Sequence, residues 1–352
     1  MAVPFDSRRM EVRGDPVPVV ESVRQSPASG VAHFDISNTG TLAYIPGGTE
    51  TVERTLVWVD RNGNETQVPA VPSSYQNPRI SPDGKRVAIG TQELGGQIWI
   101  YDLARETRTR LTFQAPGQPA GNINPFWTPD GKRIVFQSRR TSKANLFWQA
   151  ADGSGEAEQL ATSEYTQSPS SWSPDGKTLL FMQVNPQTSQ DLWVMHMTDR
   201  KTEPLLLTPV SEAAGRISPD SRWMVYMSDE SGRREIYVRS FPGPGGKWQI
   251  SSDGGQEPVW NPSGREIYYR NGNKMMAVNM ETGSGFSASK PRVLFEGPYQ
   301  LAQLTGAQYD VSPDGQRFLM LKPVESKAGA PTQINVVLNW FEELKAKVPV
   351  GK

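Results

Sequence analysis

Cysteine is absent from this 352-residue chain, which excludes disulfides, thiolate catalysis and cysteine-ligated metals. Histidine is nearly absent. His33 and His196 are the only two, too few for most zinc or histidine-relay sites. Net charge is also missing: Lys plus Arg and Asp plus Glu number 37 each. A balanced chain of this kind has no generic electrostatic grip on nucleic acid or an anionic membrane. No apolar run approaches the roughly 20 residues that cross a bilayer, and "MAVPFDSRRM" lacks the apolar core of a signal peptide. Helical periodicity is scarce as well. It surfaces only in "NWFEELKAKV", which predicts a short C-terminal helix over 339–348 with Phe341, Leu344 and Val348 on one face.

Turn formers and aromatics are what the chain has in quantity. With 32 Gly and 29 Pro, it favours many turns over long helices, and its 10 Trp, 10 Tyr and 12 Phe can fill cores between sheets. The tetrapeptide "SPDG" stands at 81–84, 173–176 and 312–315, with "TPDG" at 128–131. Aligning on this turn gives seven anchors, at Gly40, Gly84, Gly131, Gly176, Ser221, Gly264 and Gly315. Their spacing matches the roughly 40–45 residues of a four-stranded propeller blade. Within each unit an apolar segment enters the turn, a second leaves it ("RVAIG", "RIVFQS", "TLLFMQ"), and an aromatic third follows ("LVWVD", "IWIYDL", "LFWQA"). A short fourth run closes the unit. These short β-branched and aromatic runs, bounded by turn residues, read as strands.

The expected fold is therefore all-β, a seven-bladed propeller of four-stranded antiparallel blades, with six or eight blades as alternatives. It would occupy residues 1–352 as a single domain. The Trp residues before the turn (Trp127, Trp172, Trp260) and in the third strand (Trp58, Trp99, Trp193) are expected between blades. In the last repeat, "YDVSPDGQRFLML" supplies two strands and "INVVLNW" a third. The missing fourth is expected from the N-terminal segment 1–23, where "DPVPVVESV" (15–23) resembles "KPRVLFEG" of the sixth repeat and residues 16–23 are expected to complete the blade. "MAVPFD" also resembles the third strand "MAVNM", so either the N-terminus adds an edge strand or the chain is the C-terminal part of a longer protein, and the second is the favoured expectation.

The unit "WSPDGKTLLF", with "ISPDGKRVAIG", "IWIYDL" and "TRLTF", resembles the WD-like repeat of TolB-type propellers over almost the whole chain. "SDESGRREIYVRSFPGPGGKWQIS" and "INVVLNWFEELK" most resemble the propellers that follow the kinase domain and membrane span of bacterial serine/threonine kinases. The resemblance implies a periplasmic or otherwise extracytoplasmic location, a protein or peptide partner, and a sensing or binding role. TolB-like proteins usually have six such blades, so a seventh anchor departs from their pattern.

Motifs for chemistry are wanting. The chain has no G-x-S-x-G elbow and no kinase motif, so any kinase activity would lie upstream. "GPGGKW" has Trp248 where a phosphate loop needs Ser or Thr, and reads as a hairpin loop. "DGSGEAE" and "DESGRRE" lack the alternating ligands of a calcium loop. The reading is a monomeric, non-catalytic binding module without cofactor, metal or nucleic acid. Its alternative is a propeller-based lyase or glycosidase with acids at the channel mouth. The candidate ligand-binding residues stand where the first strands enter the channel: Asn77, Asn124, Gln256, Glu257 and Gln308. The bland reading of these amides is that they bind channel water and neighbouring backbone. Asp35, Arg79, Arg216 and Asp310 are charges in otherwise apolar strands, and Asp35 with Arg79 is expected as an inter-blade ion pair fixing register.

Overall fold

A computed structural model of the chain describes residues 1–25, 31–47, 52–113, 121–141, 143–281, 285–302, 306–324 and 333–348. Two compact units emerge, one from Glu53–Val324 and one from Met1–Val52 with Glu325–Lys352.

The larger unit is a propeller. Its described residues form five four-stranded sheets and one five-stranded sheet, all antiparallel, numbered here as blades I to VI. Blade I runs from Tyr75–Ile80 through Arg86–Thr91 and Gln97–Asp102 to Thr107–Arg110. Blade II is Asn122–Trp127, Arg133–Ser138, Asn145–Ala150 and Glu158–Gln159. Blade III spans Thr166–Leu206, blade IV Glu212–Gln249 and blade V Gln256–Glu296. Blade VI joins Tyr309–Val311 and Arg317–Pro323 to Arg54–Asp60 and Glu65–Gln67, from the other end of the unit.

This closure corrects the sequence reading in two respects. The strand completing the last blade's sheet is Glu65–Gln67, not residues 16–23, and its third strand is "LVWVD", not "INVV". The two third strands are exchanged: Asn335–Val337 pairs instead with Leu42–Tyr44, next to the Gly40 anchor. Burial explains the exchange. Leu56, Val57 and Val59 fill the space between blade VI and its two neighbours, packing with Phe318 and Val259 on one side and with Val87 and Ile89 on the other. Asn335–Val337 is shorter and less apolar, with Val336 and Val337 as its only apolar residues, and Val336 is exposed. The seventh anchor thus belongs to a three-stranded sheet of the smaller unit, and the ring closes on six blades.

Each SPDG turn is built from its own letters. In the first, Gly84 takes φ +73°, the left-handed region that glycine enters without a Cβ clash. The Ser81 hydroxyl donates to Asp83 (2.5 Å) and accepts from the Arg86 N–H (2.9 Å), while Asp83 also accepts from the Lys85 N–H (3.1 Å). The same pattern recurs at Thr128, Ser173, Ser218 and Ser312. These bonds hold Asp83, Asp130, Asp175 and Asp314 below the usual carboxylate range, the Ser or Thr hydroxyl contributing most.

The turns also touch one another. A Cβ on Gly131 would stand 3.7 Å from Pro82, on Gly176 3.9 Å from Pro129, and on Gly264 3.7 Å from Pro219. Gly84 meets Pro313 in the same way at 3.3 Å, so blade VI adjoins blade I. Trp127 and Trp260 are buried, and each donates its indole N–H to the preceding blade, at the Arg79 and Arg216 carbonyls (2.9 Å each). Trp58, Trp99, Trp172 and Trp193 pack against the cores half-buried.

The smaller unit holds a hairpin (Phe5–Asp6 with Glu11–Val12), the three-stranded sheet and one helix, Trp340–Lys347. The helix falls where its periodicity predicts, yet the residue it buries most deeply is Trp340, and Phe341 is partly exposed over Gly40.

Candidate functional site

Away from the turns, the inner strands of the propeller share a second feature that sequence reading did not show. Four of them carry a non-glycine residue in the left-handed region at the same register, four positions before the turn's first residue. They are Asn77 (φ +49°), Asn124 (+53°), Ala214 (+53°) and Glu257 (+59°). Each sits in a β-bulge, where two inner-strand residues oppose one on the next strand. Asn tolerates this backbone; for Ala and Glu it costs about 1 kcal/mol or more. Gln308 holds the corresponding place in blade VI, and Pro169 in blade III.

Asn77, Asn124, Glu257 and Gln308 are all buried, and they lie on the contiguous arc of blades V, VI, I and II. Three of them are tied to one another. The Asn77 N–H donates to Gln308 Oε1 (3.0 Å), and the Gln308 N–H to Glu257 Oε2 (3.0 Å). The Ala302 N–H donates to Glu257 Oε1. The Asn124 amide donates to Ser168 in blade III (2.8 Å). Gly306 covers the arc, since a Cβ on it would lie 3.4 Å from the Asn77 amide nitrogen and 3.3 Å from the Arg79 guanidinium. The segment leading into blade VI therefore lies across this side of the mouth. Gln256 stands apart, half-buried, in a small crevice with Ala214, Met227, Arg234 and Ala302.

Two residues further along lies a charged layer: three of the six inner strands carry a charge there, Arg79, Arg216 and Asp310. Arg79 is 3 % exposed, and its Nη1 donates to the carbonyls of Pro78 (2.6 Å), Ala307 (2.9 Å) and Tyr309 (3.2 Å). Its guanidinium and that of Arg216 each lie 4.6 Å from the Phe126 ring centroid. Blades I, II and IV thus meet across the channel at Phe126. Asp310, half-buried, accepts from the Ile80 N–H (2.8 Å). Arg79's acidic neighbour among the inner strands is Asp310 of blade VI, while Asp35, within the smaller unit, is exposed and accepts from the Ile36 N–H. A ring of six puts the last blade beside Arg79.

Desolvation dominates the titration of this layer. It pulls Arg79 down to about 9, helped by repulsion from Arg216 and opposed by Asp310 and Glu257. It pushes Glu257 and Asp310 up against the pull of the arginines. Arg270, fully buried in blade V, was not singled out from the sequence, nor was Tyr309, whose hydroxyl donates to the Glu257 carbonyl (2.9 Å). The available signal was an arginine directly after the buried aromatic pair of "EIYYRN" and a tyrosine between Gln308 and Asp310 in "QYDVS".

A carboxyl pair lies between blades III and IV. Asp191 and Glu212 are both buried, and each accepts from a threonine, Thr188 (2.6 Å) and Thr208 (2.5 Å). Burial, with Asp191 nearby, raises Glu212 to about 7. Among the described residues no group of three or more His, Cys, Asp or Glu is placed to hold a metal, and no helix is long and apolar enough to cross a membrane. His196 is exposed, with Nε2 3.1 Å from Glu203.

The architecture defines the class: a β-propeller. Residues 37–189 match the family model of the TolB beta propeller domain. Among solved structures, TolB from Agrobacterium tumefaciens superposes with a TM-score of 0.63 at 18 % identity, covering 78 % of this chain and 99 % of that one. Hydrazine synthase from Kuenenia stuttgartiensis gives 0.55 at 14 %, covering 92 % and 96 %. An oligogalacturonate lyase solved with manganese gives 0.51 at 13 %, covering 87 % and 81 %. No curated protein sequence matches the chain. These likenesses show the fold. They also correct the expectation that the chain is not an enzyme: a lyase shares the architecture, so the propeller does not exclude catalysis.

Proposed function

We propose that this propeller is an extracytoplasmic binding module that receives a protein or peptide segment at the entry end of its channel. One observation carries the reading: left-handed backbone kept at one register on four inner strands, including at Ala214 and Glu257, where it is unfavourable. Strain of this kind persists where a surface must be shaped rather than merely folded. Gln256, half-buried in the crevice beside Glu257, has an amide that offers a segment hydrogen bonds of both senses, while Asn77, Asn124, Gln308 and Glu257 shape the mouth through the bonds they make to one another and to blade III. The likeness to TolB structures and to propellers that follow a kinase domain supports a partner outside the cytoplasm.

The reading is tested with a photo-crosslinking residue at Gln256 in the mouth and, separately, at Lys132 at the turn end. A peptide selected against the whole chain should crosslink from position 256 and not from 132. Asn124→Ala with Gln256→Ala should weaken its binding at least tenfold. Crosslinking from 132 alone, or unchanged affinity in the double variant, overturns the proposal.

A second reading, a lyase or glycosidase, rests on the buried Asp191 and Glu212 carboxyls, both raised above the usual carboxylate range by burial. Turnover of an acidic oligosaccharide by the whole chain, abolished in Glu212→Gln, would establish it. No turnover across a panel of uronic-acid and neutral oligosaccharides would remove it.

A further inference from the structure

The charged layer beneath the mouth is out of balance. Arg79, Arg216 and Arg270 face Glu257 and Asp310, three guanidinium groups against two carboxylates. None of these five forms an ion pair within 4.0 Å among the described residues. Both carboxylates are committed to backbone N–H groups: Glu257 to Ala302 and Gln308, and Asp310 to Ile80. Arg79 spends Nη1 on three carbonyls and leaves Nε and Nη2 without a protein partner, and Arg216 Nη2 is equally unpartnered and buried. An unpaired cation in such a place is costly unless something of opposite charge joins it.

The geometry points to an oxyanion site in the channel, in which a carboxylate or phosphate group is held between the Nη2 groups of Arg79 and Arg216 beside the Phe126 ring. Guanidinium donors suit a planar or tetrahedral oxyanion because each can offer directed N–H bonds together with full charge. Arg79 is the fixed half, locked by its three carbonyls. Arg216 is the adaptable half: half-buried, with no side-chain hydrogen bond of its own among the described residues, and resting on Phe126. Its partial exposure, with that of Asp310, gives the site a route to solvent. Asp310 is what makes the site selective. It faces both arginines and repels a second anion, so one oxyanion binds rather than two. Arg79 keeps its charge at neutral pH. The ligand can be a free small anion or the terminal or side-chain carboxylate of a peptide; the site does not depend on the mouth residues proposed above.

Calorimetric titration separates these sources. The probes are inorganic phosphate, succinate, and one peptide made with a free and with an amidated C-terminus, each against chloride at equal ionic strength. At least one oxyanion should bind to the wild-type chain. Arg216→Gln should weaken that binding at least tenfold, and Arg216→Lys should restore part of it. Binding of the free-acid peptide with loss on amidation assigns the site to a chain terminus; binding of phosphate or succinate alone assigns it to a free anion. A check on the wild type needs no variant: selenate diffused into crystals should give anomalous density between Arg79 and Arg216. Failure of all probes to bind, binding unaffected by Arg216→Gln in a folded variant, or selenate found only elsewhere overturns the inference. The peptide crosslinking described above reads the mouth separately, so either proposal can fail alone.

Discussion

The two ends of the same inner strands obey different rules. At the turn end, five of the six blades repeat one local solution, a hydroxyl bonded to an aspartate, and all six keep a left-handed fourth residue. At the entry end, four of the six strands keep a left-handed residue and the side chains at that register differ, running Asn77, Asn124, Pro169, Ala214, Glu257 and Gln308. A ring needs its contact between neighbours to be repeatable, and it is copied. A surface that meets something outside the ring has no such need. The difference locates structure at one end and candidate function at the other.

Four measurements press on that contrast. The largest effect should come from Trp127→Ala at the turn end, which removes a buried indole and its bond to blade I. Chemical denaturation should show a loss of about 3–5 kcal/mol. Next is Glu212→Gln toward the entry end. Glu212 titrates near 7 in the fold against 4.5 unfolded, so the fold prefers its neutral form. Its contribution is complete below pH 4.5 and is lost as pH rises to 7. The variant should therefore be more stable than wild type at pH 8, by up to about 3 kcal/mol, and similar at pH 4.

The turn aspartates have the opposite sign. Their lowered values mean stability that is present at neutral pH and is lost as pH falls through and below the usual carboxylate range. Ser312→Ala, which removes the hydroxyl serving both Asp314 and the Arg317 N–H, should cost about 1–2 kcal/mol at pH 7. Less should be lost at pH 3. Equal losses at both pH values would show that the hydroxyl–carboxylate bond contributes nothing. The smallest effects compare two left-handed positions directly. Ser221→Gly at the turn and Ala214→Gly at the mouth should each raise stability by up to about 1 kcal/mol in thermal unfolding. Only Ala214→Gly should also alter peptide capture at the mouth. If both behave as purely structural changes, the distinction between the two ends fails.

The turn was readable because its bonds span five residues: Ser81 meets Asp83 and Arg86 within a single letter pattern. The candidate mouth residues were readable for the same reason, as the entry positions of a counted repeat. Pairings between distant segments were not. "LVWVD" and "INVV" are both respectable third strands, and only the space to be filled, lined by Phe318, Val259 and Ile89, selects the more apolar one for the propeller. Arg79 took Asp310 as its acidic neighbour because that selection moved the ring's closing point.

By itself, then, the sequence determined the β-blade and its SPDG corner, since these depend on backbone preferences and hydrogen bonds among near neighbours. The tertiary structure decided how many blades make the ring, which segments shut it, and that Arg79 and Arg216 from opposite sides share Phe126. Those outcomes depend on volume and charge brought together from far along the chain, and no local pattern encodes such a sum.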